Sequence, residues 1–153
     1  MADRSQDWFR QAEDDLGHAQ DARERGRHNW ACFAAHQAAE MAIKALHLRL
    51  GQDAWGHVVH KLLAALPPGC AVPGSLPDKA RVLDAYYVPT RYANGHPEGA
   101  PFEHYGEIQS SGAIEYAREI LEFVRHAGVL GAMSIWLSSS PRPTSRSANG
   151  CWT

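Results

Sequence analysis

Long apolar runs, closely spaced cysteines, an excess of either charge and strand-like alternation are all missing from this chain, and each absence removes a class of protein. No stretch approaches the roughly 20 apolar residues of a spanning helix. The first residues, with Asp3, Arg4, Gln6 and Asp7, carry no basic segment followed by an apolar run. A cytoplasmic protein is therefore expected. Cys32, Cys70 and Cys151 stand far apart with no Cys-x-x-Cys, which argues against a disulfide framework or a structural zinc site and fits a reducing compartment. The formal net charge of -2 gives no basic footprint. Broad electrostatic attachment to nucleic acid or anionic membrane is unsupported, and any nucleic-acid role needs a local site. Gly26, Gly51 and Gly74 are isolated, so no phosphate-cradling loop of the Walker or dinucleotide type exists, and no Gly-x-Ser-x-Gly elbow is present.

What is there reads as helix. With 153 residues, 44% of them hydrophobic, the chain suits one domain with a real core. That domain is placed at residues 1–130. Residues 131–153, rich in Ser and Pro, are expected to form a disordered tail or to serve a partner contact. A first helix is predicted from Asp3 or Ser5 to about Arg25, on the spacing of Trp8, Ala12, Leu16 and Ala19, with Asp3 and Gln6 as a capping box and Gly26 as its stop. A second runs from Trp30 to Gly51 with Asn29 as N-cap, antiparallel to the first. A third spans His57 to Leu66 and ends at Pro67 and Pro68. Pro77 and Asp78 open a fourth, which stops before Pro89, and the last covers Ser111 to Ala127 on Ile114, Ala117, Leu121 and Val124. The fold class is an all-α bundle.

The second helix is the most distinctive. At 100° per residue, His36, Gln37, Glu40, Lys44 and His47 fall on one stripe about 100° wide, and Ala, Leu, Ile, Cys and Met cover nearly everything else. Glu40 and Lys44 are i,i+4 in the favourable order, so the simple reading is a surface pair contributing about 0.2–0.5 kcal/mol. Trp30, Phe33 and Leu48 border the stripe, however, and should a neighbouring helix or subunit cover it, Glu40 requires a partner.

Between Tyr87 and Ser111 the chain loses all periodicity. Loops of that length inside a compact domain are often functional. This one holds Arg91, Tyr92, Asn94 and His96, then Glu103, His104 and Tyr105. An arginine fork that clamps phosphate beside a histidine that moves protons near neutral pH suits phosphodiester chemistry, while a purely structural pairing of Arg91 with a helix carboxylate is the plain alternative. His57 and His60 form an i,i+3 pair among nine histidines. No Glu-x-x-His or His-Glu-x-x-His accompanies them, so no metal site is expected and His60 is read as a capping or core-edge residue.

Taken in order, Trp8, Ala12, Leu16, Phe33, the run HQAAEMAIKAL from His36 to Leu46, His60, Leu63, Tyr87 and Arg91-Tyr92 resemble the HEPN domain family over about residues 5 to 127. The Gln-Ala-Ala-Glu-x-x-x-Lys-Ala core is the most specific piece. The resemblance implies a four-to-five-helix up-and-down bundle without a cofactor, usually a homodimer, often encoded beside a minimal nucleotidyltransferase in toxin-antitoxin-like pairs. Family members include nucleotide binders, non-catalytic partners and metal-independent ribonucleases bearing Arg-x4-6-His. Arg91 and His96 have that spacing. Tyr92 stands where active members carry Asn, Asp or His, and Glu98 stands where toxin-type members carry Tyr; Arg91-Tyr92 looks more like the Arg-Tyr-Pro variant, with Ala93 in place of the proline.

Two functional expectations follow from the resemblance. In the first, the protein is a nucleotide-binding or nucleotidyltransferase-partner module whose groove is lined by Arg91, Tyr92 and Lys44, with Gln37 and Glu40 beside them. In the second, it is an endoribonuclease acting on RNA, His96 serving as general base on a ribose 2′-hydroxyl and Arg91 stabilising the phosphorane-like charge.

Overall fold

The computed structural model describes residues 3–128. The tail expected over residues 131–153 lies outside them. Five α-helices follow in order: α1 (Ser5–Glu24), α2 (His28–Arg49), α3 (Val59–Ala64), α4 (Leu76–Asp84) and α5 (Glu107–Ala127), with short 3-10 turns at Ala93–Gly95 and Pro101–His104. No strand occurs among the described residues. The all-α expectation holds.

Helix α2 is the centre of the bundle and touches all four other helices. Its contact with α1 is the most extensive, because both present alanine there: Ala12, Ala19, Ala35, Ala38, Ala42 and Ala45 have no exposed surface. Side chains this small let two backbones approach closely, so an added methylene at these positions forces a shift costing about 1–3 kcal/mol. The larger core residues Phe9, Ile43, Leu46, Leu83, Ile114, Ile120 and Leu121 fill the space towards α4 and α5. Phe9 rather than Trp8 anchors α1, whose predicted stripe is displaced by one residue at that end; Trp8 and Leu16 are only partly buried.

Both long helices stop on a left-handed glycine. At Gly26 (φ 78°) the Arg27 N–H donates to Ala22 O at 2.8 Å, and at Gly51 (φ 79°) the Gln52 N–H donates to His47 O at 2.8 Å, the 6→1 bond of a Schellman motif. The starts differ from expectation. The N-cap of α1 is Arg4, one residue after Asp3, and makes no side-chain capping bond; Asp3 Oδ1 accepts from Ser5 N–H at 2.8 Å. Asn29 does not cap α2 either. It lies inside the helix, buried, and its amide donates to Thr90 O at 3.0 Å, so a residue suited to a cap serves a tertiary contact. Helix α3 is shorter than predicted at both ends, α4 ends at Asp84 well before Pro89, and α5 begins at Glu107, four residues ahead of Ser111.

Candidate ligand-binding site

The polar stripe of α2 is buried, not a solvated face. His36 is fully buried, Glu40 is 1% exposed and His47 2% exposed. The surface-pair reading of Glu40 and Lys44 is thus corrected: the stripe lies under the segment that carries α3 and under the end of α4. Glu40 takes Lys44 Nζ at 2.8 Å and His57 Nδ1 at 3.1 Å, so its carboxylate has two donors. His36 Nε2 donates to His57 O at 2.9 Å and to Asp84 Oδ1 at 3.2 Å, and His47 Nε2 donates to Leu62 O at 2.9 Å. Buried polar groups need such partners, and here they fasten α3 to α2.

Asp84, the last residue of α4, completes the clamp from the other side. Its carboxylate accepts the Val59 N–H at 2.7 Å, the His60 N–H at 3.0 Å and His60 Nδ1 at 2.8 Å, capping α3 from outside its own sequence. Burial pushes against its ionisation, but the bonds from His36, His60 and Val59 prevail and hold its pKa below the ordinary value. His60 is thus the capped residue rather than the cap. Above the clamp, the His57 ring stacks on Tyr87 at 4.9 Å, and the two rings edge a cleft of about 470 Å3 whose other walls are Val58, Asp84, Ala85, Val88 and Pro89.

Arg91 stands beyond Tyr87. The chain reaches it through Thr90, which is fully buried, its carbonyl held by Asn29 and its hydroxyl donating to Tyr86 O at 2.6 Å. The guanidinium lies over three rings, 4.2 Å from Phe33, 4.9 Å from Tyr87 and 5.0 Å from Tyr92. Its Nε and Nη2 both donate to Tyr87 O. Nη1 has no hydrogen bond within the described residues. Cation–π contact and bidentate anchoring give this side chain one orientation, in a groove of about 300 Å3 shared with Arg27, Asn29, Trp30, Pro101 and Phe102. Tyr92 is 51% exposed at this edge.

His96 is placed differently. Its Nε2 donates to Pro89 O at 2.7 Å, and its ring stacks on His104 at 4.2 Å with Tyr105 edge-on. The Ala93–Gly95 turn intervenes between Arg91 and His96, and His96 does not line the Arg91 groove. Of the sequence candidates, then, Arg91 and Tyr92 come together; Gln37, Glu40 and Lys44 belong to the α2 stripe below Tyr87, with Glu40 and Lys44 spent on one another and on His57. Reasoning from the sequence missed Asp84, which no local motif announces, and Arg27 and Phe102, whose convergence with Arg91 joins three distant segments. Among the described residues no group of three or more His, Cys, Asp or Glu side chains is placed to hold a metal ion, and no helix is long and apolar enough to cross a membrane.

The HEPN domain family matches residues 5–127, the whole bundle from the start of α1 to the end of α5. The chain belongs to the HEPN family. Solved structures agree. TT1696 from Thermus thermophilus is 48% identical with a TM-score of 0.80, covering 82% of this chain and 98% of that one. The archaeal HEPN homologue ST0689 is 36% identical with a TM-score of 0.70 over 82% of this chain and 98% of its own. A HEPN domain protein from Thermotoga maritima is also 36% identical, with a TM-score of 0.63 over 78% and 94%. None of the curated proteins matches the chain. As a HEPN domain, the bundle has its aperiodic segment between α4 and α5, and that segment brings Arg91 to the start of α2.

Proposed function

We propose that this HEPN protein is a nucleotide-binding module, with the groove at Arg91 as its phosphate-recognising site. The observation that carries the reading is the guanidinium itself: fixed over Phe33, Tyr87 and Tyr92, tied to Tyr87 O through two nitrogens, and keeping Nη1 unpaired at a groove edged by an exposed indole and phenyl ring. A pre-oriented fork costs little ordering on binding, and the rings offer a stacking surface for a base. Glu40 and Lys44 contribute at one remove, by holding His57 against Tyr87.

The ribonuclease reading is weaker on the same geometry. A general base needs a free nitrogen directed at the 2′-hydroxyl next to Arg91. His96 donates Nε2–H to a carbonyl, which leaves Nδ1 as its basic nitrogen, but the ring is stacked on His104 and stands outside the Arg91 groove. Calorimetric titration with ATP and GTP tests the proposal: binding is expected, weakened about tenfold or more in Arg91→Ala and unaffected in His96→Ala. Absence of binding in the wild type, or equal binding in Arg91→Ala, overturns it. RNA cleavage that persists in EDTA and vanishes in both variants restores the alternative. Capture of a co-encoded minimal nucleotidyltransferase by the tagged protein tests the partner that the family resemblance implies.

A further inference from the structure

The Arg91 groove does not end at Trp30. A second hollow of about 440 Å3, at the α1–α2 turn, is lined by Arg25, Arg27 and Trp30 together with His18 and Asp21. The two hollows share Arg27 and Trp30 as a common wall. From one end to the other, the surface carries three guanidiniums, at Arg25, Arg27 and Arg91, against the single carboxylate of Asp21.

This concentration stands out in a chain whose formal net charge is -2. Arginines elsewhere on the surface are mostly spent: Arg4 on Asp7, Arg81 on Asp78, Arg118 on Glu115 and Arg125 on Glu122. Neither Arg25 nor Arg27 makes a side-chain hydrogen bond or ion pair with any described residue. Between these cations sit two rings with open faces, Trp30 at 47% exposure and Phe102 at 68%. Trp30 meets Phe33 in a T-shaped contact at 6.0 Å and 85°, and about half of its surface stays exposed. Alternating guanidiniums and open rings suit a strand with a charge at every step and a flat ring between charges. A sequence-tolerant single-strand site is built this way, each stacked base contributing about 1–3 kcal/mol. An acidic peptide would use the charges and leave the rings idle.

We infer that the α1–α2 turn carries a second phosphate-and-base subsite, so that the ligand of this protein is a short single-stranded oligonucleotide running from Arg91 past Trp30 to Arg25, not a mononucleotide. The inference rests on the nucleotide-binding reading of the Arg91 groove and extends it by the Arg25, Arg27 and Trp30 subsite.

Fluorescence anisotropy with 5′-labelled hexauridylate, beside calorimetry with ATP, tests it on the full chain. Hexauridylate is expected to bind about tenfold or more tighter than ATP, from at least one extra stacked base. Arg25→Ala with Arg27→Ala should weaken hexauridylate about tenfold and lower the salt slope by about 1.4, given about 0.7 per phosphate contact on a single strand, while Arg25→Ala alone, outside the Arg91 groove, should leave ATP within about twofold. Trp30→Phe should retain most of the binding that Trp30→Ala loses. Hexauridylate no tighter than ATP, or bound equally by the double arginine variant, overturns the inference. So does displacement by polyglutamate at the concentration at which unlabelled hexauridylate competes, which would mark an acidic protein surface as the partner. The two readings fail distinguishably: ATP binding indifferent to Arg91→Ala, with hexauridylate still lost in the double variant, removes the Arg91 groove and with it the continuous path, whereas ATP binding lost in Arg91→Ala, with hexauridylate indifferent to the double variant, removes the Arg25, Arg27 and Trp30 subsite alone.

Discussion

Replacing Asp84 should unlatch α3 from the bundle. The carboxylate accepts four hydrogen bonds, from the Val59 and His60 amides, His60 Nδ1 and His36 Nε2, at 2.7, 3.0, 2.8 and 3.2 Å. Loss of an N-cap typically costs about 1 kcal/mol, and a charge-assisted bond about 1.5–3 kcal/mol. These contributions are not additive, and Asp84 is 15% exposed, so water takes over part of the burden. About 3 kcal/mol is expected for Asp84→Ala, at the lower edge of what breaking a buried ionic network costs. For a chain of this size that lowers Tm by about 6–12 °C. Asp84→Asn keeps the shape but turns one acceptor into a donor facing an N–H, and should cost about 1–2 kcal/mol.

The pH dependence supplies a second signature. Asp84 has a folded pKa below its ordinary value of 3.8. In the interval between those two values the unfolded chain has taken up a proton that the folded chain refuses, so stability falls as pH falls. Above the interval the contribution is complete. The gap between wild type and Asp84→Ala should therefore be constant from neutral pH to about pH 5 and narrow on acidification towards the folded pKa. Urea unfolding followed by far-UV circular dichroism at a series of pH values measures this. A gap under about 0.5 kcal/mol at pH 7, or one that widens as the pH falls through 3.8, would refute the assignment of Asp84 as the latch.

Two other substitutions probe the interior. Lys44→Met removes one of the two partners of a carboxylate that is 1% exposed; about 2 kcal/mol is expected by urea unfolding, less than the 3–5 kcal/mol of a fully orphaned charge because His57 stays, and a loss within the 0.2–0.5 kcal/mol of a surface pair would return Glu40 to the outside. Cys32 is fully buried, and burial pushes its thiol pKa up to about 12. Iodoacetamide at pH 8 should therefore leave the Cys32 peptide unmodified in native protein and label it in urea, as read by mass spectrometry; equal labelling in both states would contradict its packing.

The long helices were legible in the sequence because their signals are local. Alanine and leucine at helical spacing, with Gly26 and Gly51 as stops, fix α1 and α2 within a few residues. Three of the misreadings share a cause: each involves a polar residue recruited by a distant segment. Asn29 suits an N-cap, yet its partner is Thr90 O, and Glu40 and Lys44 look like a surface pair, yet the His57 segment covers them. Asp84 is one acidic residue near a helix end until α3 is brought to it. The same holds for the site. The Arg91 loop was visible as a break in periodicity, whereas its meeting with Arg27, Trp30 and Phe102 depends on how α2, the loop and the turn before α5 converge. The spacing of Arg91 and His96 fits the ribonuclease motif, but spacing carries no information about the carbonyl that His96 selects.

The way α3 is attached has a consequence for motion. Helices α1, α2 and α5 hold one another through apolar surface, whereas α3 is a helix of six residues whose first turn is completed by Asp84, whose Leu62 carbonyl is held by His47 and whose preceding His57 carbonyl is held by His36. A short unit that adds Val59, Leu62, Leu63 and Leu66 to the core and is otherwise tied by polar bonds opens at lower free energy than the core it sits on. Residues 52–75 should thus exchange their amide hydrogens as one cooperative block, ahead of α1, α2 and α5. Because His57 lies in that block and stacks on Tyr87, whose carbonyl anchors Arg91, each opening loosens the floor beneath the guanidinium. Ligand held at Arg91 should in turn slow the exchange of a segment it never touches.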